Sequence, residues 1–312
     1  MLSRRSVRVK AMQILYSLDR DKDLKKSDAK KIYALSVDKS FELLLFSIHL
    51  FYELCKTSVE DFDKRKNKYI PTEFDKKFRP YLFENPLISS LGSNRKLNQL
   101  FNEYSFKEKY DKDVLKNVYY EYAKEKNYAE FIRGSITQES IVEALLDVWR
   151  FIKKYPSFEE ILEENYFNWI DDESFIVGAM KKIIKSLPTK DESFFMDHFP
   201  EDETIKDYGE RLLLKTLESN ADLEAIIVPT LQNWEVERVA VLDMILLKMA
   251  VCEFLYFETI PVKVTMNEYV DLSKSYSTDK SNEFINGILD NLSKSLAENN
   301  TIVKTGRGLV DV

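Results

Sequence analysis

"EVERVAVLDMILLKMAVCEFLYF", residues 235–257, is apolar on nearly every side of a helix. Such a helix is typical of the centre of a helical protein, because a surface helix keeps one polar face. The chain holds only 7 Gly and 8 Pro in 312 residues, which is too few for many strands joined by tight turns. No stretch alternates apolar and polar residues convincingly as a strand does. The sequence therefore predicts an all-α protein.

Charge is distributed unevenly along the chain. The whole chain carries a formal net charge of -7, yet residues 1–31 hold ten Lys/Arg and four Asp/Glu. The remainder holds 36 Lys/Arg and 49 Asp/Glu. This split indicates a local anion-binding surface at the start of the chain, while the acidic remainder repels nucleic acid elsewhere.

The basic start also has the pattern of a helix. "SRRSVRVKAMQILYSLDR", residues 3–20, begins with a candidate N-cap at Ser3. At about 100° per residue, one face is apolar and carries Val7, Ala11, Ile14, Leu15 and Leu18. The neighbouring stripe carries Arg5, Arg8, Met12 and Tyr16. We therefore expect a first helix that packs on its apolar face and presents cations beside it.

The middle of the chain is helical in pattern but carries no motif with an evident chemistry. Helical periodicity covers 28–66, 95–128, 137–154, 157–168 and 172–187. Residues 187–203 hold two prolines and many acids, which is typical of a linker. Aromatic residues cluster in this part of the chain and predict packing between helices: Tyr119, Tyr120, Tyr122, Tyr128 and Phe131.

Catalytic and cofactor-binding patterns are absent from the sequence. His49 and His198 are the only histidines, and no Cys, His and carboxylate set has metal-ligand spacing. Neither a phosphate-binding loop nor a dinucleotide-binding glycine pattern occurs. We therefore expect no catalytic site, no metal and no cofactor.

Two cysteines, Cys55 and Cys252, form no disulfide framework and predict buried thiols in a reducing compartment. The start of the chain lacks the apolar run of a signal peptide. The most apolar run, residues 41–55, is too short and too polar to span a bilayer. We therefore expect a soluble, cytoplasmic protein without a membrane partner.

Two separated stretches resemble one family, the NusB transcription antitermination factors. The first is "RRSVRVKAMQILYSLD", residues 4–19, and the second runs from about residue 208 to 292. The matching positions are Arg4, Arg5, Arg8, Gln13, Leu15 and Tyr16, then Trp234, Glu237 and Arg238, then Pro261, Val264, Asn267, Glu268, Leu272 and Lys274, and finally Phe284, Asn286, Gly287, Leu289 and Asp290. Each piece alone is weak, but all of them occur in the family's order.

The resemblance implies a NusB-like helical bundle with a long helical insertion after the first helix. Residues 1–20 are then the first helix, 21–200 the insertion, 201–298 the rest of the bundle and 299–312 a flexible tail. Chain entropy permits so long an insertion, because the cost of closing a loop rises only logarithmically with its length. The implied partners are a boxA-like single-stranded RNA from ribosomal RNA leaders, the small ribosomal protein NusE and the RNA polymerase elongation complex.

The resemblance also implies roles for individual residues. Arginine forks suit phosphates, so Arg4, Arg5 and Arg8 are expected to hold the RNA backbone. Tyr16 is expected to stack on an unpaired base and Gln13 to bind a base edge. Around the loop "STDKS", residues 277–281, further RNA contacts are expected from Lys274, Tyr276, Lys280 and Phe284. Candidates for the protein partner's side are Asp243, Glu253 and Glu268.

Plainer interpretations remain open for these residues. Tyr16 is also consistent with a half-buried aromatic at the bundle edge, and Phe284 with a core residue. The arginines are also consistent with a solvated helix start, although cations there oppose the helix dipole. One other function remains open, a helical protein–protein adaptor acting through its insertion. An RNA methyltransferase is disfavoured, because it needs a glycine-rich cofactor-binding sheet that this sequence lacks.

Overall fold

The structure, a computed structural model, describes residues 2–199, 201–231 and 238–309. Throughout these ranges the regular secondary structure is helical and no strand occurs, which confirms the all-α prediction. The chain divides into two compact units. The bundle unit comprises Leu2–Val37 and Glu201–Val312, and the insertion unit, Asp38–Pro200, lies between these segments in the sequence. The unit boundary thus falls at residues 37–38, whereas the sequence analysis begins the insertion at residue 21.

The first two helices are α1 (Arg4–Arg20) and α2 (Ala29–Lys66). Ser3 caps α1 as predicted, because its Oγ accepts a hydrogen bond of 3.1 Å from the amide of Ser6. The predicted helical span 28–66 is confirmed as α2. This helix contains the unit boundary, so its first turns belong to the bundle unit.

The other α-helices described in the insertion unit are shorter than α2. They are α3 (Glu73–Lys77), α4 (Pro86–Gly92), α5 (Arg95–Glu103), α6 (Lys112–Tyr122), α7 (Lys126–Arg133), α8 (Gln138–Ile152), α9 (Pro156–Asn165) and α10 (Trp169–Ser186). The predicted span 95–128 is divided among three of them. Its first break lies at Ser105, whose φ of 49° is left-handed and ends the helical path.

Aromatic side chains fill the core of the insertion unit, as their clustering predicts. Tyr119, Tyr122 and Tyr128 are buried. The Tyr119 hydroxyl donates to Asp61 Oδ2 at 3.1 Å and lies 3.1 Å from the Tyr128 hydroxyl. These bonds satisfy polar groups that burial would otherwise leave unpaired.

The bundle unit is built around one helix. A π-helix (Glu203–Glu210) continues into α11 (Arg211–Glu218), followed by α12 (Asn220–Ile227), α13 (Val241–Tyr256), α14 (Val262–Tyr276) and α15 (Ser281–Glu298). The predicted central helix is confirmed as α13, which packs against α1, α11, α12, α14 and α15. Trp234 and Glu237, which contribute to the family resemblance, lie outside the described residues.

Part of the predicted tail, residues 299–312, is described as far as residue 309. Lys304 Nζ donates to the carbonyl oxygens of Glu253 at 3.1 Å and Phe257 at 2.9 Å. These carbonyls end α13, where a cation complements the helix dipole. Thr305 N also donates to the carbonyl of Glu258 at 3.0 Å, so this part of the tail has defined partners in the bundle unit.

Both cysteines are free and buried, as the sequence predicts, and burial raises the pKa of the Cys252 thiol to about 12. In the described part of the chain, no helix is long and apolar enough to cross a membrane. Nor does that part contain a group of three or more His, Cys, Asp or Glu side chains able to hold a metal ion.

Candidate functional site

Arg8 lies in the interior of the bundle unit. Its guanidinium makes two hydrogen bonds to Glu253, from Nε to Oε1 at 2.8 Å and from Nη2 to Oε2 at 3.0 Å. A third bond runs from Nη1 to Glu268 Oε2 at 3.2 Å. Arg8 is 2% exposed and Glu253 is 0% exposed. Arg8 therefore joins α1 to α13 through a buried, bidentate contact with Glu253 and to α14 through a single bond to Glu268.

Three hydroxyl groups complete the coordination of Glu253. Tyr208 of the π-helix and Tyr269 of α14 donate to Oε1, and Thr265 donates to Oε2 at 3.0 Å. Burial opposes ionisation of this carboxyl, but Arg8 and the hydroxyl donors outweigh it and hold its pKa below the ordinary value. We call Arg8, Tyr208, Glu253, Thr265 and Tyr269 the Glu253 cluster.

This geometry corrects two expectations. Arg8 does not present its guanidinium to a phosphate, because its donors are directed into the protein toward Glu253 and Glu268. Glu253 offers no surface to a protein partner, because it is buried beneath α1. Glu268 keeps a partly exposed side chain at the rim of the cluster, and its role toward a partner stays a prediction.

Arg4 and Arg5, in the first turn of α1, reach the surface. Arg4 forms an ion pair of 3.4 Å with the exposed Glu203, and its guanidinium lies 5.3 Å from the centroid of the Tyr208 ring. An exposed pair of this kind contributes little to stability, so a phosphate can compete for Arg4. Arg5 is half-buried and makes no ion pair with any described residue.

The second half of α1 presents the two residues expected to contact bases. Tyr16 is 41% exposed, and the guanidinium of Arg20 lies 5.6 Å from its ring centroid. Gln13 is half-buried one turn earlier. An aromatic ring with an exposed face beside a cation is a geometry that accommodates a stacked base.

Asp243 anchors the loop between α14 and α15. Ser277 Oγ donates to Asp243 Oδ1 at 2.6 Å, and Ser281 Oγ donates to Oδ2 at 2.8 Å. Asp243 is buried in the first turn of α13. Its expected role toward a protein partner is therefore wrong, because both carboxylate oxygens are directed to the loop.

The residues expected to bind RNA around this loop are accessible. Lys280 is exposed, and Lys274 is exposed with an ion pair of 2.9 Å to Asp271. Tyr276 is half-buried. Phe284 is half-buried and lines a surface cavity of about 380 Å³ together with Lys280 and Gly287. The alternative that Phe284 is a core residue is not favoured by this position.

α13 connects the two parts of the candidate site. A cavity of about 450 Å³ is lined both by Leu15 and Leu18 of α1 and by Met244 and Ile245 of α13. Asp243, in the same turn of α13, holds the loop. The end of α1 and the loop are thus neighbours of one turn of α13. Arg4 lies beside the other end of this helix, which is about 24 Å long at 1.5 Å per residue.

Sequence reasoning missed Tyr208, Thr265 and Tyr269 as positioning residues for α1. Their signal is indirect, because each is an ordinary residue of an amphipathic helix. Glu253 carries a stronger signal, since it is a carboxylate within an otherwise apolar run of α13. A charge in that position requires a buried partner of opposite charge.

The fold and this surface define an all-α protein whose helical bundle is interrupted in sequence by a large helical insertion. The sequence model of the NusB family matches residues 176–294. The transcription antitermination protein NusB of Salinibacter ruber (strain DSM 13855 / M31) is 39% identical over 110 residues, which are 35% of this chain and 69% of that protein. This chain belongs to the NusB family.

Other relatives agree with this membership. The transcription antitermination protein NusB of Chloroherpeton thalassium (strain ATCC 35110 / GB-78) is 37% identical over 111 residues, 36% of this chain and 53% of that protein. That of Listeria monocytogenes serotype 4a (strain HCC23) is 40% identical over 86 residues, 28% of this chain and 67% of that protein. The matched part of this chain is thus a minority of its length, and the chain is longer than these relatives.

Proposed function

We propose that this chain is an RNA-binding transcription antitermination factor. It binds a boxA-like single-stranded RNA together with the small ribosomal protein NusE and acts on the RNA polymerase elongation complex. Membership of the NusB family supports the antitermination role. The two named protein partners rest on the family resemblance alone.

One observation carries the RNA-binding part of this proposal. The second half of α1 and the loop 277–281 both adjoin the first turn of α13, so Tyr16, Lys280 and Phe284 belong to one end of the bundle unit. Accessible aromatic rings and cations at one end of the bundle suit unpaired RNA, because bases stack on the rings and phosphates pair with the cations.

Arg5 and Arg4 extend the proposed surface along α1. From Arg5 to Tyr16 the helix rises about 16 Å, so the strand follows α1 rather than occupying a single pocket. The Glu253 cluster has a positioning role in this proposal: it fixes the rotation of α1 about its axis and thereby directs Arg5 and Tyr16 outward.

A salt titration tests the proposal. Affinity for boxA-like RNA is measured at several salt concentrations for the unchanged chain, Arg5→Ala and Lys280→Ala, with and without NusE. We expect the log–log slope to become shallower by about 0.7 for each phosphate that is no longer neutralised. Lys294→Ala is the matched control, since Lys294 is an exposed lysine of α15 that pairs with Asp290 outside the proposed surface. Unchanged affinity and slope in both variants would contradict RNA binding here.

A further inference from the structure

The loop between α2 and α3 exposes two adjacent large side chains. Tyr69 is 99% exposed and Ile70 is 81% exposed. Both lie in the insertion unit, whose other aromatic side chains mostly form its core. Neither side chain is used by the surface proposed above.

The base of this loop is firmly held. Asp75 accepts hydrogen bonds from Arg65 Nη1 at 2.9 Å and from Lys68 Nζ at 2.8 Å. It also accepts from the amide of Thr72 at 2.9 Å, which caps α3. The Asp75 side chain is fully buried by these donors. The protruding pair is therefore carried on a loop with a fixed base.

The surroundings of the loop are basic. Residues 61–79 hold seven Lys/Arg and four Asp/Glu, in a chain whose net charge is -7. Two of these acids, Asp61 and Asp75, are buried and already paired with Arg65. The loop therefore lies in a segment whose exposed charge is mainly positive.

Several cations around the loop are available to a ligand. Lys66, Lys77 and Arg133 form no ion pair with any residue that the structure describes. Arg79 donates to the main-chain carbonyls of Lys76 and Phe78. Arg133 comes from α7, and its guanidinium lies 5.4 Å from the ring of Phe74 in α3, so a second helix adds charge to the same region.

We propose that loop 67–72 and its flanking cations Lys66, Lys77, Arg79 and Arg133 form a second contact surface for single-stranded RNA. An exposed aromatic ring stacks on any unpaired base, and the cations neutralise phosphates, so this contact tolerates sequence variation. Single-stranded nucleic acid uses both features, the mainly positive charge and the solvent-exposed ring, whereas a protein partner requires neither. This inference rests on the proposed function and extends it, because it gives RNA a contact in the insertion unit.

The test measures binding of a long oligouridine RNA that lacks a boxA-like sequence. Full-length variants Tyr69→Ala and Lys66→Glu/Lys77→Glu are compared with the unchanged chain, each also in an Arg5→Ala background. These side chains are exposed, so the fold is preserved. Two controls are matched: Phe167→Ala, an aromatic 84% exposed in an acidic segment, and Lys181→Glu/Lys182→Glu on α10.

We expect Tyr69→Ala to weaken oligouridine binding about tenfold, the loss typical of one stacked base. The lysine variant should flatten the salt dependence by about 0.7 for each phosphate that it leaves without a cation, and the controls should bind as the unchanged chain does. The inference is overturned if the unchanged chain does not bind oligouridine. It is also overturned if the Tyr69 and lysine variants bind oligouridine as strongly as the unchanged chain does. Binding of the same variants to anionic lipid vesicles is measured in parallel. If the variants lose vesicle binding but keep RNA binding, the surface binds lipid and the inference is overturned.

Failure of this inference is distinguishable from failure of the proposed function. Binding of boxA-like RNA should depend on Arg5 and not on Tyr69. A chain that binds oligouridine through Tyr69 but shows no Arg5-dependent binding of boxA-like RNA contradicts the proposed function and leaves the second surface standing.

Discussion

Arg8 and Glu253, 245 residues apart in sequence, form a bidentate ion pair with distances of 2.8 and 3.0 Å inside the bundle unit. The contact joins α1 to α13, although the whole insertion unit separates these two helices in sequence. It also determines which arginines of α1 remain for a ligand. The guanidinium of Arg8 is bound in the interior by Glu253 and Glu268, while Arg4 and Arg5 reach the surface.

Replacing Glu253 with Gln should strongly destabilise the bundle unit. Removing one partner of a buried ion pair leaves an uncompensated charge, at a cost of about 3–5 kcal/mol. Urea denaturation combined with hydrogen exchange at the amides of α1 and α14 measures the loss. Glu268→Gln is the control: its partly exposed side chain makes a single bond to Arg8, so we expect a change of about 0–1 kcal/mol. Equal effects of the two variants would contradict the account.

Two glycines should respond to alanine with opposite signs. A Cβ at Gly209 would clash with the Tyr33 hydroxyl and would lie 2.8 Å from Val7 Cβ. Gly209→Ala should therefore destabilise the contact of α1 with the π-helix by about 1–3 kcal/mol. A Cβ at Gly287 in α15 would meet no atom within 4 Å, so Gly287→Ala should stabilise its helix by about 1 kcal/mol. Thermal denaturation of both variants checks the signs.

His49 should make the insertion unit sensitive to acid. Burial, with Lys107 and Lys56 nearby, lowers its pKa from 6.5 to about 4, so the folded unit keeps His49 neutral. Below pH 6.5 the unfolded chain binds a proton that the folded chain does not. Stability is therefore fully present above pH 6.5 and is lost as pH falls toward 4, by roughly 3 kcal/mol.

The corresponding measurement compares the pH dependence of unfolding for the unchanged chain and His49→Phe. The substituted ring keeps the aromatic neighbours Phe101, Phe106 and Tyr110. We expect the variant to lose most of the slope between pH 4 and 6.5, whereas His198→Gln should lose less. Identical slopes in all three chains would show that His49 does not titrate as described.

Removing the anchor of the loop should weaken RNA binding. Asp243→Ala deletes the acceptor for Ser277 and Ser281, so the amides of residues 278–281 should exchange faster. We expect affinity for boxA-like RNA to fall about tenfold, the effect of removing one stacked base, while the salt dependence contributed by Arg5 stays. Glu218→Ala is the control, because Glu218 is an exposed carboxylate of α11 that pairs with Lys215, outside the proposed RNA surface. RNA affinity that is unchanged in Asp243→Ala would contradict a role for the loop.

The sequence predicts the positions of the main helices well, but it does not predict which side chains contact each other between helices. Periodicity and apolarity predict α1, α2 and the central α13, because apolar residues recur on whichever side of a helix packs against its neighbours. The same periodicity puts Arg8 beside the apolar face of α1, but it carries no information on what lies opposite. Only the three-dimensional structure brings Glu253 there, so the roles expected for Arg8 and Glu253 were wrong. The Asp243 contact with the loop was missed for the same reason.

Photocrosslinking tests the central claim most directly, namely that α1 and the loop 277–281 receive one RNA strand. A boxA-like RNA containing 4-thiouridine is bound to the full chain and irradiated, and the crosslinked peptides are identified by mass spectrometry. The account predicts crosslinks on the same RNA to the peptide with Tyr16 and to the peptide with Lys280 and Phe284. Crosslinks confined to residues outside both peptides would contradict it.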